Sequence, residues 1–194
     1  MKTFDSDLLI VETSDAPSGY VALDILCREE SIRILEASVA GAGHFVILAQ
    51  GAKVKLREAA AVVHTRFDGS HPERLVDSEV ITGPSQDLLD SVYALNEVHL
   101  EETLVVVSCE TVSALMSVAA EAIQAADLKL IETRIYRSGR CGGLALITGS
   151  SPACIRLAEE ARARLKSAQR KSVIEVIDKP TANFRTFFNI SGEA

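Results

Sequence analysis

The chain has 194 residues, 47% of them hydrophobic, with no tryptophan and a net charge of −7. That length suits one larger domain or two compact domains of about 100 residues. The acid excess argues against general nucleic-acid binding, and no apolar run approaches the ~18 residues of a membrane span. The opening Met1-Lys2-Thr3-Phe4-Asp5 carries no signal-peptide pattern, so the expectation is a soluble cytosolic protein. Cys27, Cys109, Cys141 and Cys154 show no CxxC spacing and read as free thiols. The charge is uneven: residues 1–97 hold 8 Lys/Arg and 16 Asp/Glu, residues 98–194 hold 12 and 11.

Leu8-Leu9-Ile10-Val11, continuous and apolar, predicts a strand. Asp15 to Gly19 breaks it, and a helix is expected from about Ser18, with Val21, Ala22, Ile25 and Leu26 on one face. Ile32–Val39 reads as a strand, Gly41-Ala42-Gly43 as a turn, and His44–Ala49 as the returning strand. A helix over Val54–His64 buries Leu56, Ala59, Ala60 and Val63. Thr65–Arg74 is polar and reads as a loop. Leu75–Ile81 is a short strand and Gln86–Leu95 a short helix.

The pattern then starts again. Leu104–Val107 stands 96 residues after Leu8–Val11, and a helix over Ala114–Ala126 follows at the same offset. Leu128–Glu132 copies Ile32–Glu36. Ile135–Gly149 holds two apolar runs around Ser138-Gly139-Arg140-Cys141-Gly142-Gly143, a β-hairpin whose tip is two residues longer than its twin. Ser151-Pro152 reads as N-cap and first-turn proline, with Ala158, Ala161 and Leu165 on the buried side. Val173–Ile177 matches the strand at Val76–Ile81, and Asn183–Ile190 echoes the closing helix through Phe184, Phe187 and Phe188. The expected fold is therefore α+β: two tandem βαββαβ units, ferredoxin-like, each an antiparallel four-stranded sheet with helices on one face. The polar link Asn96–Glu102 sets the domains at 1–97 and 98–194.

This ordered set, occurring twice, resembles the bacterial microcompartment (BMC) shell proteins, in their tandem-domain, trimer-forming subclass. Ile10-Val11-Glu12-Thr13 looks like the family's opening strand. Ala122–Leu130 looks like its helix-to-strand segment, and Val176-Ile177-Asp178-Lys179-Pro180 like its closing strand and proline. Leu75-Val76-Asp77-Ser78 resembles the join between halves in tandem members from diol-utilising compartments, those of propanediol utilisation. Two departures stand out. The second unit opens with Val107-Ser108-Cys109, and the family's lysine near the end of the first helix is Arg28 in one copy and Gln124 in the other.

The resemblance implies a non-enzymatic structural protein of a cytoplasmic microcompartment shell. It implies a homotrimer whose six units form a pseudohexameric tile beside other shell proteins. A central pore would pass small metabolites, with neither nucleic acid nor membrane as partner. Ala40, Gly41, Ala42 and Gly43 from one tip and Ser138, Gly139, Arg140, Cys141 and Gly142 from the other would line it. Three Arg140 guanidiniums around one axis would favour anions; a solvated turn arginine, or one paired with an acid such as Glu132, is the plainer reading. Some tandem members hold an iron–sulfur cluster on the axis, so Cys141 is the candidate metal ligand, one thiolate per subunit, for a 4Fe–4S cluster serving electron transfer. The plainer reading of Cys141 is a small residue where the hairpin enters its strand.

His44 follows the first tip and could face the same axis. His64, His71 and His99 form no metal spacing. Cys27, Cys109 and Cys154 are expected to be buried small residues. Arg162, Arg164, Lys166, Arg170 and Lys171 read as the solvated side of a helix and its loop. No G-x-S-x-G, P-loop or Rossmann fingerprint occurs. The alternative reading is a trimeric small-molecule-binding sensor, since similar βαββαβ sheets serve as regulatory modules.

Overall fold

The computed structural model describes residues 7–69 and 71–186. The first half runs β1 (Asp7–Thr13), α1 (Ala16–Cys27), β2 (Arg33–Val39), β3 (Phe45–Gly51), α2 (Lys53–Asp68), β4 (Leu75–Ile81) and α3 (Gln86–Val92). The second runs β5 (Thr103–Cys109), α4 (Val112–Gln124), β6 (Leu128–Ile135), β7 (Gly143–Gly149), α5 (Ser151–Ser167), β8 (Ser172–Asp178) and α6 (Ala182–Arg185). Each half makes one four-stranded sheet, in the orders β2-β3-β1-β4 and β6-β7-β5-β8. The expected α+β tandem is thus what forms. β1 and β5 lie inside their sheets and pair antiparallel on both sides, which is why their sequences are continuously apolar.

The first core lies between one face of its sheet and α1 and α2. Leu9, Val11, Phe45, Ile47 and Ala49 meet Ala22, Leu26, Leu56, Ala59, Ala60, Val63 and Phe67. Strand alternation sends Leu8, Ile10 and Glu12 to the opposite face, called here the back face. In the second half, α4 buries Leu115, Val118, Ala119 and Ala122, and α5 buries Leu157, Ala158, Ala161 and Leu165.

Compactness divides the chain into a first unit of Met1–Gln86 with Thr111–Ser113 and Ile135–Gly142, and a second unit of Asp87–Glu110, Ala114–Arg134 and Gly143–Ala194. The first unit therefore takes in two short segments from the later half.

Several element ends differ from expectation. α2 runs on to Asp68, so Thr65–Asp68 is helix and not loop; Phe67, one turn after Val63, is buried in the core and holds the extra turn. α1 starts at Ala16 because Asp15 caps it, accepting the Ser18 N–H at 2.8 Å, and Pro17 fits the first turn. α4 likewise starts early, at Val112, and ends at Gln124. Ser151 is inside α5 and not its cap: its hydroxyl bonds Asp178 and Thr103. α3 ends at Val92 and not at Leu95. Phe187, Phe188 and Ile190 lie outside the described residues.

Candidate functional site: the paired hairpin tips

The first tip is a tight 3-10 turn. Ala40 N–H donates to His44 O at 2.8 Å, and the turn passes through left-handed backbone at Ala42 (φ 62°) and Gly43 (φ 83°). The second tip is closed by Tyr136 N–H donating to Gly142 O at 2.9 Å, with Gly139 at φ 102°. Both tips belong to the first unit, and they touch. Ala42 N–H donates to Gly139 O, and Gly41 lies flat against the Cys141 carbonyl. A Cβ at Gly41 would sit 1.8 Å from that oxygen, so only glycine permits the approach. Sequence repetition made these segments twins; the fold makes them neighbours.

Exposure then sorts the tip residues. Ala40, Gly41 and Gly142 are buried, Cys141 is half-buried, and Ala42, Gly43, Ser138, Gly139 and Arg140 face solvent. Just before the second tip, Arg137 reaches Glu36 at 3.4 Å, and in the second unit Arg134 holds Glu132 at 2.5 Å. Arg134 thus occupies the acid that sequence offered as a partner for Arg140.

His44 does not act as a free group on the tip. Its Nδ1 lies 2.7 Å from Glu12 Oε1, and Glu12 is wholly buried. The other carboxylate oxygen, Oε2, accepts the Val112 backbone N–H at 2.7 Å. Glu12 stands opposite Asp77 in the sheet, and Asp77 accepts from the Ser113 hydroxyl. Two adjacent carboxylates thereby hold Thr111–Ser113 at a helix N-terminus, where negative charge is favoured. Sequence reading quoted Glu12 for its motif and gave it no task. The readable signal was a lone acid sharing the back face with Leu8 and Ile10 in an otherwise apolar strand.

The remaining candidates fall outside this site. Cys109 and Cys154 are buried as expected, and burial pushes the Cys154 thiol up to about 11, which makes it inert. Cys27 is exposed, against expectation, because it ends α1 on the solvent side. The basic stretch faces solvent, as expected, and several of its side chains also find partners. Arg162 donates to Ile174 O at 2.5 Å, Arg164 bonds Ser117 and Glu121, and Lys171 pairs with Glu110. A groove of about 780 Å³ runs between α1 and α2, lined by Val21, Ile25, Ala61 and Val62, and takes in no tip residue.

The donor set at the tips does not fit a metal cluster within one chain. Cys141 is a single thiol, its twin tip has none, and no group of three or more His, Cys, Asp or Glu that could hold a metal ion occurs among the described residues. No described helix is long and apolar enough to cross a membrane.

No protein-family model and no curated protein matches the chain. Among solved structures, a microcompartments protein from Desulfitobacterium hafniense DCB aligns at TM-score 0.74 and 17% identity, covering 93% of this chain and 98% of that one. A mutant chlorite dismutase from Candidatus Nitrospira defluvii aligns at TM-score 0.29, 9% identity and 95% coverage of each chain. An aspartate kinase from Synechocystis aligns at 0.32 and 10%, covering 88% of this chain and 43% of that one. The first likeness, over nearly the whole of both chains, is one of fold: this chain has the architecture of that microcompartments protein.

Proposed function

We propose that the chain is a structural shell protein of a bacterial microcompartment in the cytoplasm, of the tandem-domain subclass. Three copies form a pseudohexameric tile, and tiles join other shell proteins. The observation that carries this reading is the fold shared with the microcompartments protein across 93% of the chain. The paired tips support it further. In a ring of copies their exposed residues, Ala42, Gly43, Ser138, Gly139 and Arg140, would line the opening for small metabolites, with Ala40, Gly41, Cys141 and Gly142 behind them. Backbone groups and one exposed cation per pair of tips suit the passage of small molecules. The test is light scattering of the purified protein followed by electron microscopy at high concentration. Trimers that pack into sheets are expected; a monomer would end the proposal.

A further inference from the structure

The two halves treat one matched arginine in opposite ways. α2 matches α5 at an offset of 98, which puts Arg66 on Arg164; the buried positions agree, Ala60 with Ala158, Val63 with Ala161 and Phe67 with Leu165. In the second half α4 supplies the partners of Arg164. They are the Ser117 hydroxyl at 3.0 Å and the Glu121 carboxylate at 3.0 and 3.1 Å. α1 matches α4 at an offset of 96, which puts Val21 on Ser117 and Ile25 on Glu121. The first half thus keeps the arginine and replaces its hydroxyl and its acid by apolar side chains. Among the described residues no carboxylate pairs with Arg66.

Arg66 stands where two recesses meet. One is the groove of about 780 Å³ between α1 and α2, along Val21, Ile25, Ala61 and Val62. Its acid, Asp24, is engaged by Arg28 at 2.6 Å. The other is a recess of about 370 Å³ at the start of α1, where Arg66, His71 and Arg74 converge around Ser18 and Phe67. Val21 and Arg66 line both. Residues 1–97 hold 8 Lys/Arg against 16 Asp/Glu, so two arginines in one recess stand out against an acidic half. The acids near the recess have partners. Asp15, which also attracts Arg74, accepts the Ser18 N–H and the Ser14 and Ser18 hydroxyls. Glu73 lies 3.3 Å from His71. All of these residues belong to the first unit.

We propose that this composite site binds a small amphiphilic anion, an aliphatic chain ending in a carboxylate or phosphate. The head group takes, beside Arg66, the place that the Glu121 carboxylate takes beside Arg164, with Arg74 and His71 closing round it. A guanidinium presents paired donors to such oxygens. The chain lies along the groove over Val21 and Ile25, one helical turn or about 6 Å apart, with Ala61 and Val62 on the facing wall. Apolar contact supplies affinity and the cations fix the orientation. The site lies within one unit of one chain, so it does not rest on the shell reading.

The experiment is isothermal titration of the full chain with octanoate and with octyl phosphate, beside acetate, which has the head without the chain, and octyltrimethylammonium, which has the chain with the opposite charge. Saturable binding of at least one of the two octyl anions is expected, and the tighter of them identifies the head group. Acetate should bind at least about tenfold more weakly and the ammonium not at all, and Arg66→Gln should weaken the octyl anion by about tenfold or more. Arg66 is exposed, so this variant keeps the fold, which circular dichroism establishes. Val21→Ser with Ile25→Glu rebuilds the arrangement of the second half and should abolish binding by giving Arg66 an acid of its own. The proposal is overturned if neither octyl anion binds, if acetate or the ammonium binds as tightly as they do, or if folded Arg66→Gln retains the wild-type affinity. None of these results bears on the shell reading.

Discussion

Glu12 and Val112 are 100 residues apart in sequence, and the Glu12 carboxylate accepts the Val112 backbone N–H at 2.7 Å. The same carboxylate holds His44 at the foot of the first tip. One buried acid therefore ties a strand, a turn and a helix start together. Glu12→Ala would strand a buried donor and release His44, costing about 3 kcal/mol. Glu12→Gln keeps an acceptor for Val112 and should cost about 1 kcal/mol. Urea unfolding of the two variants checks this; equal losses would show that the negative charge, which both variants lack, carries the contribution and not the acceptor oxygen.

Gly41 and Gly43 lie in one turn and should respond differently to alanine. At Gly43 the added Cβ meets nothing within 4 Å, and the cost is that of φ 83° in a residue with a side chain, about 1 kcal/mol. At Gly41 the Cβ collides with the Cys141 carbonyl, so the tips must part and the Ala42 to Gly139 bond is lost with them. Gly41→Ala should cost about 3 kcal/mol, the range of an overpacked site. Thermal unfolding of both variants gives the ranking.

The layout of strands and helices was legible because each half repeats one hydrophobic pattern. Continuous apolar runs marked β1 and β5 as strands, and Leu56, Ala59, Ala60 and Val63 marked α2. The helix starts were less legible. Asp15 beside Pro17 resembles a breaker as much as a cap, and only the bond to Ser18 decides between them. Phe67 looked like part of a polar loop because its burial depends on a core assembled from distant segments. The tips were found from glycine and length. Their mutual contact, and the task of Glu12, join residues about a hundred positions apart and leave no local pattern.

Asp15 gives a pH-dependent prediction with a definite sign. Its Oδ1 accepts the Ser18 N–H at 2.8 Å, and the Ser18 and Ser14 hydroxyls donate to Oδ2. Led by the backbone bond, these hold its carboxyl below the ordinary 3.8. A depressed native pKa means that the ionised form stabilises the fold above the unfolded value, and that this contribution is lost as pH falls through the native one. Asp15→Asn keeps a capping oxygen but does not titrate. The melting-temperature gap between wild type and Asp15→Asn should be constant above about pH 5 and close on further acidification. A gap that widens in acid would reverse the assignment.

Cys141 is one half-buried thiol per chain, so a 4Fe–4S cluster would need one thiolate from each of three copies and a fourth ligand from elsewhere. The expected outcome is a colourless protein after anaerobic purification, with the same spectrum for Cys141→Ser. Broad visible absorption that Cys141→Ser removes would instead assign the cluster.

Arg140 carries the last prediction. It sits at the exposed end of the longer tip, while Arg137, three residues before it, is already engaged by Glu36. If the tips surround an opening, three guanidiniums stand around it with no matching ring from the shorter tip, where Ala42 and Gly43 bring no charge. A ring of fixed positive charge raises the local concentration of anions and repels cations, and the effect weakens as salt shortens the screening length. Oligomers reconstituted in a planar bilayer should therefore pass chloride in preference to potassium, more so at low salt. Arg140→Glu should reverse the preference, and Arg140→Gln should abolish it. Because the side chain is exposed, all three proteins should melt within a few degrees of one another. Selectivity that is the same in all three would place Arg140 away from the opening.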